Sequence, residues 1–193
     1  MALNQEIDIV QPRLSVVVPT FNEERTLERV VDKLLGVPGL FEIIIVDDGS
    51  TDSSPEIAVR LSEKHDKVDA ISLPENRGKT AALRRGFAET SGDIVIVQDA
   101  DLEYDPADIP DVIAPIIDGF ADVAYGSRFM VKRAARVVYF YHYLANKGLT
   151  FISNLFTNLN MTDIETCYKA FRGDIIRNMN ITSSGFLATP VAP

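Results

Sequence analysis

The chain has 193 residues, 46% hydrophobic and 24% charged, with 11 Gly, 10 Pro and no Trp, a composition that excludes collagen-like, low-complexity and largely disordered proteins. A single cysteine, Cys167, excludes an internal disulfide and an all-cysteine metal site, and the two histidines, His65 and His142, are too far apart in sequence to suggest a zinc cluster. A formal charge of −9 disfavours nonspecific nucleic-acid binding by the surface as a whole.

Residues 1–12 read as an N-terminal tail. From there to about residue 127, short apolar runs alternate with amphipathic stretches, the pattern of strand–helix units around a mainly parallel sheet. Leu14 to Val18 is a buried strand stopped by Pro19, and Asn22 is placed to cap the next helix, whose Leu27, Val30, Val31, Leu34 and Leu35 fall on one face. Glu42 to Val46 is apolar on both faces, as a central parallel strand requires. A helix starting at Asp52 or Ser53 runs to about Lys64, Val68 to Leu73 is a strand, and Lys79 to Thr90 a helix. Asp93 to Val97 is a fourth strand, Pro106 to Gly119 a helix, and Asp122 to Tyr125 a fifth strand. Ala134 to Asn160 reads as one or two aromatic-rich amphipathic helices broken near Gly148. Cys167 to Phe171 is a short strand, Gly173 a turn before a short helix, and 179–193 an irregular tail.

No apolar run reaches the ~18–20 residues of a membrane-spanning helix, and the polar, acidic start does not resemble a secretory signal, so the expected location is cytoplasmic. Charge is nevertheless uneven. Val123 to Thr162 holds no Asp or Glu but carries Arg128, Lys132, Arg133, Arg136 and Lys147.

In open α/β sheets, ligands bind beyond the carboxyl ends of the strands, and here those ends collect the polar residues. They read Pro19-Thr20-Phe21-Asn22-Glu23, Asp47-Asp48-Gly49-Ser50-Thr51-Asp52, Gln98-Asp99-Ala100-Asp101-Leu102-Glu103 and Gly126-Ser127-Arg128. Asp99 and Asp101, one residue apart, would repel in one pocket unless a divalent cation joined them; Mg²⁺ or Mn²⁺ suits oxygen ligands plus substrate phosphates, with Glu103 a possible third ligand. Helix capping or a solvated loop is the plainer account of the same pair. Asp47 and Asp48 either form a tight turn or accept hydrogen bonds from a base or ribose. Asn76-Arg77-Gly78-Lys79 opens a helix whose free N–H groups and two cations could meet phosphate. Neither GxGxxG after the first strand nor a Walker-type GxxxxGK[ST] is present.

Taken in order, these motifs resemble the family 2 glycosyltransferases of GT-A fold, over about residues 13–178. Asp163-Ile164-Glu165-Thr166-Cys167-Tyr168-Lys169-Ala170-Phe171-Arg172 is similar to the polyprenyl-phosphate branch, typified by dolichol-phosphate mannose synthase. The resemblance implies a Rossmann-like, mostly parallel sheet flanked by helices. It also implies inverting transfer of a sugar from a nucleotide-sugar, GDP-mannose or UDP-hexose, to a polyprenyl phosphate. By the same resemblance, Pro19, Phe21 (commonly Tyr in the family) and Glu23 line the nucleotide site, with Val46 and Asp48 near the base. Asp99-Ala100-Asp101 is the DxD motif that holds metal on the diphosphate; Glu103 stands where relatives often have Gln. Arg128 contacts the donor or acceptor phosphate, and Arg133 and Arg136 join it in holding the acceptor.

A lipid phosphate has its second pKa near ~6 and needs little deprotonation, so a catalytic base is dispensable. Residues 134–160, basic at one end and aromatic throughout, are expected to face a membrane on its cytoplasmic side, unless their apolar stripe packs on the sheet. Relatives usually continue beyond the point where this sequence stops. Three other readings therefore stand: a soluble family 2 transferase acting on a glycan, a truncated, inactive sugar-nucleotide-binding or membrane-docking fragment, and, from Asp47-Asp48 alone, a phosphoacceptor receiver domain.

Overall fold

A computed structural model describes residues 12–127 and 140–181. The expectations on Arg128, Lys132, Arg133, Arg136 and the tail after Ile181 lie outside the described residues.

Six strands form one sheet in the order β3-β2-β1-β4-β6-β5. They are β1 (Leu14–Thr20), β2 (Leu40–Asp47), β3 (Val68–Ser72), β4 (Ile94–Val97), β5 (Val123–Tyr125) and β6 (Lys169–Arg172). β1 pairs in parallel with β2 and β4, and β2 with β3, whereas β6 runs antiparallel between β4 and β5. The mixed, mostly parallel α/β architecture is therefore as expected. Insertion of β6 between β4 and β5 is not visible in the order of elements along the chain.

The helices are α1 (Leu27–Leu34), α2 (Ser54–Lys64), α3 (Lys79–Glu89), α4 (Ile109–Ile117, after a 3-10 turn over Pro106–Asp108), α5 (Phe140–Thr157) and α6 (Gly173–Asn178). Alternation along the strands builds two cores. Val16, Val18, Ile43, Ile45, Ile94, Ile96 and Ala170 pack with α1, α2 and α4 on one face. On the other, Val17, Val95, Val97 and Phe171 pack with Phe87 of α3 and Ile176 of α6, and Ile44 and Val46 with Ala82 of α3. The spaced Leu27, Val30, Val31 and Leu34 are all buried, as one apolar face of α1 demands. Gly86 lets α3 approach the sheet, because a Cβ there would lie 2.4 Å from Val17 Cγ1 and 3.2 Å from Val46 Cγ2.

Four local expectations change. β1 continues through Pro19, whose partner across β2 is Val46. Thr20 accepts from Asp48 N on the β2 side, so alternation turns Pro19's missing N–H toward β4, whose ladder with β1 ends at Val17↔Val97. Asn22 does not cap α1; it adopts φ +57° and its Oδ1 accepts from Thr51 N at 2.9 Å, while Thr26 precedes the helix. Gly148 does not break α5, which is continuous from Phe140 to Thr157. Gly173 begins α6 rather than preceding it as a turn.

Among the described residues, α5 is tied to the rest of the chain by the segment from Met161 to Ile164. Its inward stripe is polar. Asn146 Nδ2 donates to Asp163 Oδ1 at 2.7 Å, Thr150 Oγ1 lies 2.9 Å from Asn146 Oδ1 and accepts from Ile164 N, and the Asn154 amide bonds both backbone groups of Met161. Its outward side carries Tyr141, Phe151, Leu155 and Phe156, between 69% and 84% exposed. No helix among the described residues is long and apolar enough to cross a membrane.

Candidate active site

Because β1, β2, β4 and β5 share one direction, their carboxyl ends open on one edge, joined there by the start of β6. The loops after β1 and β2 are stitched together. Asn22 N and Glu23 N donate to Ser50 Oγ and Ser54 Oγ at 2.9 and 2.8 Å, and Glu24 N donates to Asp52 Oδ2. The return bonds run from Thr51 N to Asn22 and from Ser53 N to Glu24. Pro19 is partly buried at this edge, Phe21 is 44% exposed, and Glu23 turns its carboxylate to Thr26 Oγ1 at 2.7 Å.

Asp47 and Asp48 are both buried at the end of β2. Asp47 Oδ2 accepts from Ser50 N, while Oδ1 has no hydrogen-bond partner. A buried carboxylate oxygen without a partner is costly, and of the two aspartates it is Asp47 that carries one. Asp48 accepts the N–H groups of Arg77 and Gly78 at 3.0 and 2.7 Å and so holds the loop before α3. The N–H groups of Arg77 and Gly78, which precede the helix, are thereby taken. The Arg77 guanidinium pairs with Glu75 at 2.9 Å. Gly49 allows the clasp: at φ +70° it approaches this loop so closely that a Cβ would lie 2.6 Å from Asn76 N. Val46 is fully buried against Ala82, beneath Asp47.

The turn after β4 is held by Gln98, a buried side chain that the sequence reading left unassigned. Its amide donates to the carbonyls of Asp99 and Tyr104 at 3.0 and 3.2 Å, and its oxygen lies 2.6 Å from the Tyr168 hydroxyl. Leu102 sits at φ +63°, a conformation that non-glycine residues rarely adopt and that functional turns hold against its cost. Ala100 is buried in the core beneath, which leaves the flanking aspartates at the edge. Asp99 is buried and Asp101 exposed, its Oδ1 accepting from Glu103 N at 2.8 Å; Glu103 is exposed.

Lys79, the first residue of α3, reaches Asp99 Oδ1 at 2.5 Å and Cys167 Sγ at 3.3 Å. Burial opposes its charge, but Asp99 and Cys167 outweigh it and hold the ammonium above the ordinary lysine value. Burial, with Asp99 adding to it, pushes the Cys167 thiol up to about 11. Cys167 N donates to the Tyr104 hydroxyl, and the Tyr104 and Tyr168 rings stack at 4.6 Å. Cys167 and Tyr168 therefore close against the turn after β4.

Among the described residues no three His, Cys, Asp or Glu side chains gather as a metal cage. Asp99 and Asp101 offer two hard carboxylates on one tight turn, one of them already balanced by a cation. That donor set fits Mg²⁺ or Mn²⁺ held by few protein ligands and completed by substrate phosphates.

The profile of the Glycosyl transferase family 2 family matches residues 15–179. A dolichol-phosphate mannosyltransferase of Pyrococcus furiosus is 33% identical over 90% of this chain and 50% of its own length. An undecaprenyl-phosphate 4-deoxy-4-formamido-L-arabinose transferase of Salmonella choleraesuis is 32% identical over 86% of this chain and 51% of its own. The chain thus spans about half the length of these curated relatives. Among solved structures, glucosyl-3-phosphoglycerate synthase of Mycobacterium tuberculosis, in complex with Mn²⁺ and UDP-glucose, superposes with TM-score 0.64 at 26% identity, covering 85% of this chain and 57% of that one. The stitched strand ends, the DxD turn and the match along most of its length make this chain a member of glycosyltransferase family 2, with the GT-A arrangement of its sheet.

Proposed function

We propose that this chain transfers a hexose from a nucleotide-sugar, GDP-mannose or a UDP-hexose, to a polyprenyl phosphate at a membrane surface, with inversion and with Mg²⁺ or Mn²⁺ as cofactor. The observation that carries the reading is the meeting, at one sheet edge, of a buried carboxylate on β2 with one unpaired oxygen, the Lys79–Asp99 pair and the exposed Asp101. The base end of the donor lies toward Asp47 and the β1–β2 loops, with Pro19, Phe21, Glu23, Val46 and Asp48 forming or supporting its walls. The diphosphate lies toward Lys79, Asp99, Ala100 and Asp101.

Asp99 and Asp101, with Glu103 as a possible third ligand, would hold the metal, which when bound supplies charge compensation to the leaving diphosphate. In the displacement, an acceptor phosphate oxygen forms a bond to the anomeric carbon as the bond to the donor phosphate breaks. An anionic acceptor needs no general base, so the chain's task is orientation and charge. Arg128, which follows β5 in sequence, and Arg133 and Arg136 are assigned the acceptor phosphate. A lipid acceptor is favoured over a free glycan by α5, whose outward aromatic and aliphatic side suits an interface. The names of the curated relatives point the same way.

Calorimetric titration of UDP- and GDP-sugars with and without Mn²⁺ tests the reading. Binding should require the metal, and Asp101→Asn should weaken it about tenfold or more while the melting temperature stays unchanged. Metal-independent binding, or equal affinity in the variant, would overturn it.

A further inference from the structure

On β6, Phe171 packs with Val97 and Phe87 on the α3 face, whereas Ala170 packs on the opposite face. Alternation therefore puts Lys169 on the α3 face, at the strand end that meets the site. Ala170 pairs with Ile96, so Lys169 stands one step along from that rung, beside the end of β4 that leads to Asp99. On its other side Lys169 is the register partner of Tyr125, and its ammonium lies 5.4 Å from that ring's centre. Lys79 reaches Asp99 from the same face. Two partly buried ammonium groups thus share the neighbourhood of one buried carboxylate.

Their circumstances differ. Lys79 has Asp99, whereas among the described residues Lys169 has no carboxylate within ion-pair distance. Tyr125 gives it a ring face but no counter-charge, since a phenol is neutral at physiological pH and burial pushes this one further up, to about 12. Burial, with the Lys79 charge adding to it, holds Lys169 below the ordinary lysine value. A partly desolvated cation without a carboxylate, at the edge of a phosphate-handling site, is a group that gains most when an anion arrives. It also lies on β6, across β4 and β1 from the Asp47 end, so it is aligned with the phosphates rather than the base.

We propose that the Lys169 ammonium binds a phosphate oxygen on the acceptor side of Asp99, either the sugar-bearing phosphate of the donor or the phosphate of the acceptor. The inference rests on the donor and acceptor reading above and adds a residue to it.

Acylation of surface amines read by mass spectrometry, on the full chain with Mn²⁺, is the first measurement. Inorganic pyrophosphate, UDP or GDP, and a polyprenyl phosphate in detergent are added separately, and Lys169 should be protected by at least one. Affinities of Lys169→Met and Lys169→Arg are the second. If the donor phosphate is the ligand, Lys169→Met weakens UDP or GDP binding about tenfold or more and Lys169→Arg restores most of it. If the acceptor phosphate is the ligand, nucleotide affinity holds while KM for polyprenyl phosphate rises by a similar factor. Protection by pyrophosphate without nucleotide binding would sink the donor reading and keep the anion seat. Nucleotide binding that leaves Lys169 unprotected, with unchanged affinities and KM in a folded Lys169→Met, would overturn the inference and keep the donor reading. No protection by any probe together with no nucleotide binding would overturn both.

Discussion

The half of the sheet built on β1, β2 and β4 and the segment made by α5 with residues 161–168 follow opposite rules. In the first, Val17, Ile45 and Ile96 are fully buried and the polar groups lie at strand ends. In the second, Asn146 and Thr150 are buried, and Phe151, Leu155 and Phe156 face outward. Burial of apolar area stabilises the first region, while hydrogen bonds to Met161, Asp163 and Ile164 hold the second. A helix that is polar inside and apolar outside is not optimised for water alone. The contrast separates a region held by apolar burial from one held by polar contacts.

The largest expected effect breaks the first region. Ile45→Ala removes a side chain with no exposed surface from the core between β2, α1 and α2, and should cost about 2–5 kcal/mol in denaturant unfolding. The loss should appear as a lower midpoint with little change in slope. Asp163→Ala strikes the second region through polarity instead. It leaves the buried Asn146 amide without its carboxylate and should cost about 1–3 kcal/mol. Amide exchange in α5 should quicken far more than in β1 or β2; uniform loss of protection would mean that the two regions unfold as one.

Cys167 stands where the regions meet, its N–H on Tyr104 and its thiol beside Lys79 and Asp99. With the thiol pushed up to about 11, little thiolate exists at neutral pH, and alkylation by iodoacetamide should accelerate only as pH approaches that value. The sign for stability follows. The folded state favours the neutral thiol, so this contribution is fully present below the unfolded thiol's value and fades as pH rises toward 11. An alkylation midpoint near an ordinary cysteine would show that the junction is open to water.

How far the sequence reveals each region depends on the range of the interactions that fix it. The spacing of Leu27, Val30, Val31 and Leu34 was enough for α1, because a helix face is set by neighbours one turn apart. Asn22 looked like a cap by the same local logic, yet its partner Thr51 lies on the loop after β2, which no window around Asn22 contains. The place of Asp99 and Asp101 at the sheet edge was legible because they directly follow an apolar strand. The surroundings of Gln98 and Lys169 were not, since they depend on which strand lies beside them, and β6 enters between β4 and β5 only in three dimensions. Gly148 suggested a break, but a Cβ at that position would meet nothing, and the bonds from Asn146, Thr150 and Asn154 carry the helix across it.

The smallest expected change in stability gives the comparison its sharpest form. Phe151 and Phe156 are 69% and 84% exposed, so replacing both by Ser removes little buried area and should shift unfolding in water by no more than about 0.5 kcal/mol. The same double variant should lose flotation with vesicles containing anionic lipid, because aromatic side chains at the headgroup level supply much of an interfacial helix's affinity. Salt discriminates the contributions. Attraction between Lys147 or the basic residues 128–136 and the lipid fades as the Debye length shrinks, whereas the aromatic contribution persists. Wild type should therefore keep part of its binding in high salt, and the double variant should keep none. Equal flotation of the two proteins at every salt concentration would remove α5 from the membrane-facing surface and leave its outward apolar side for a second protein chain.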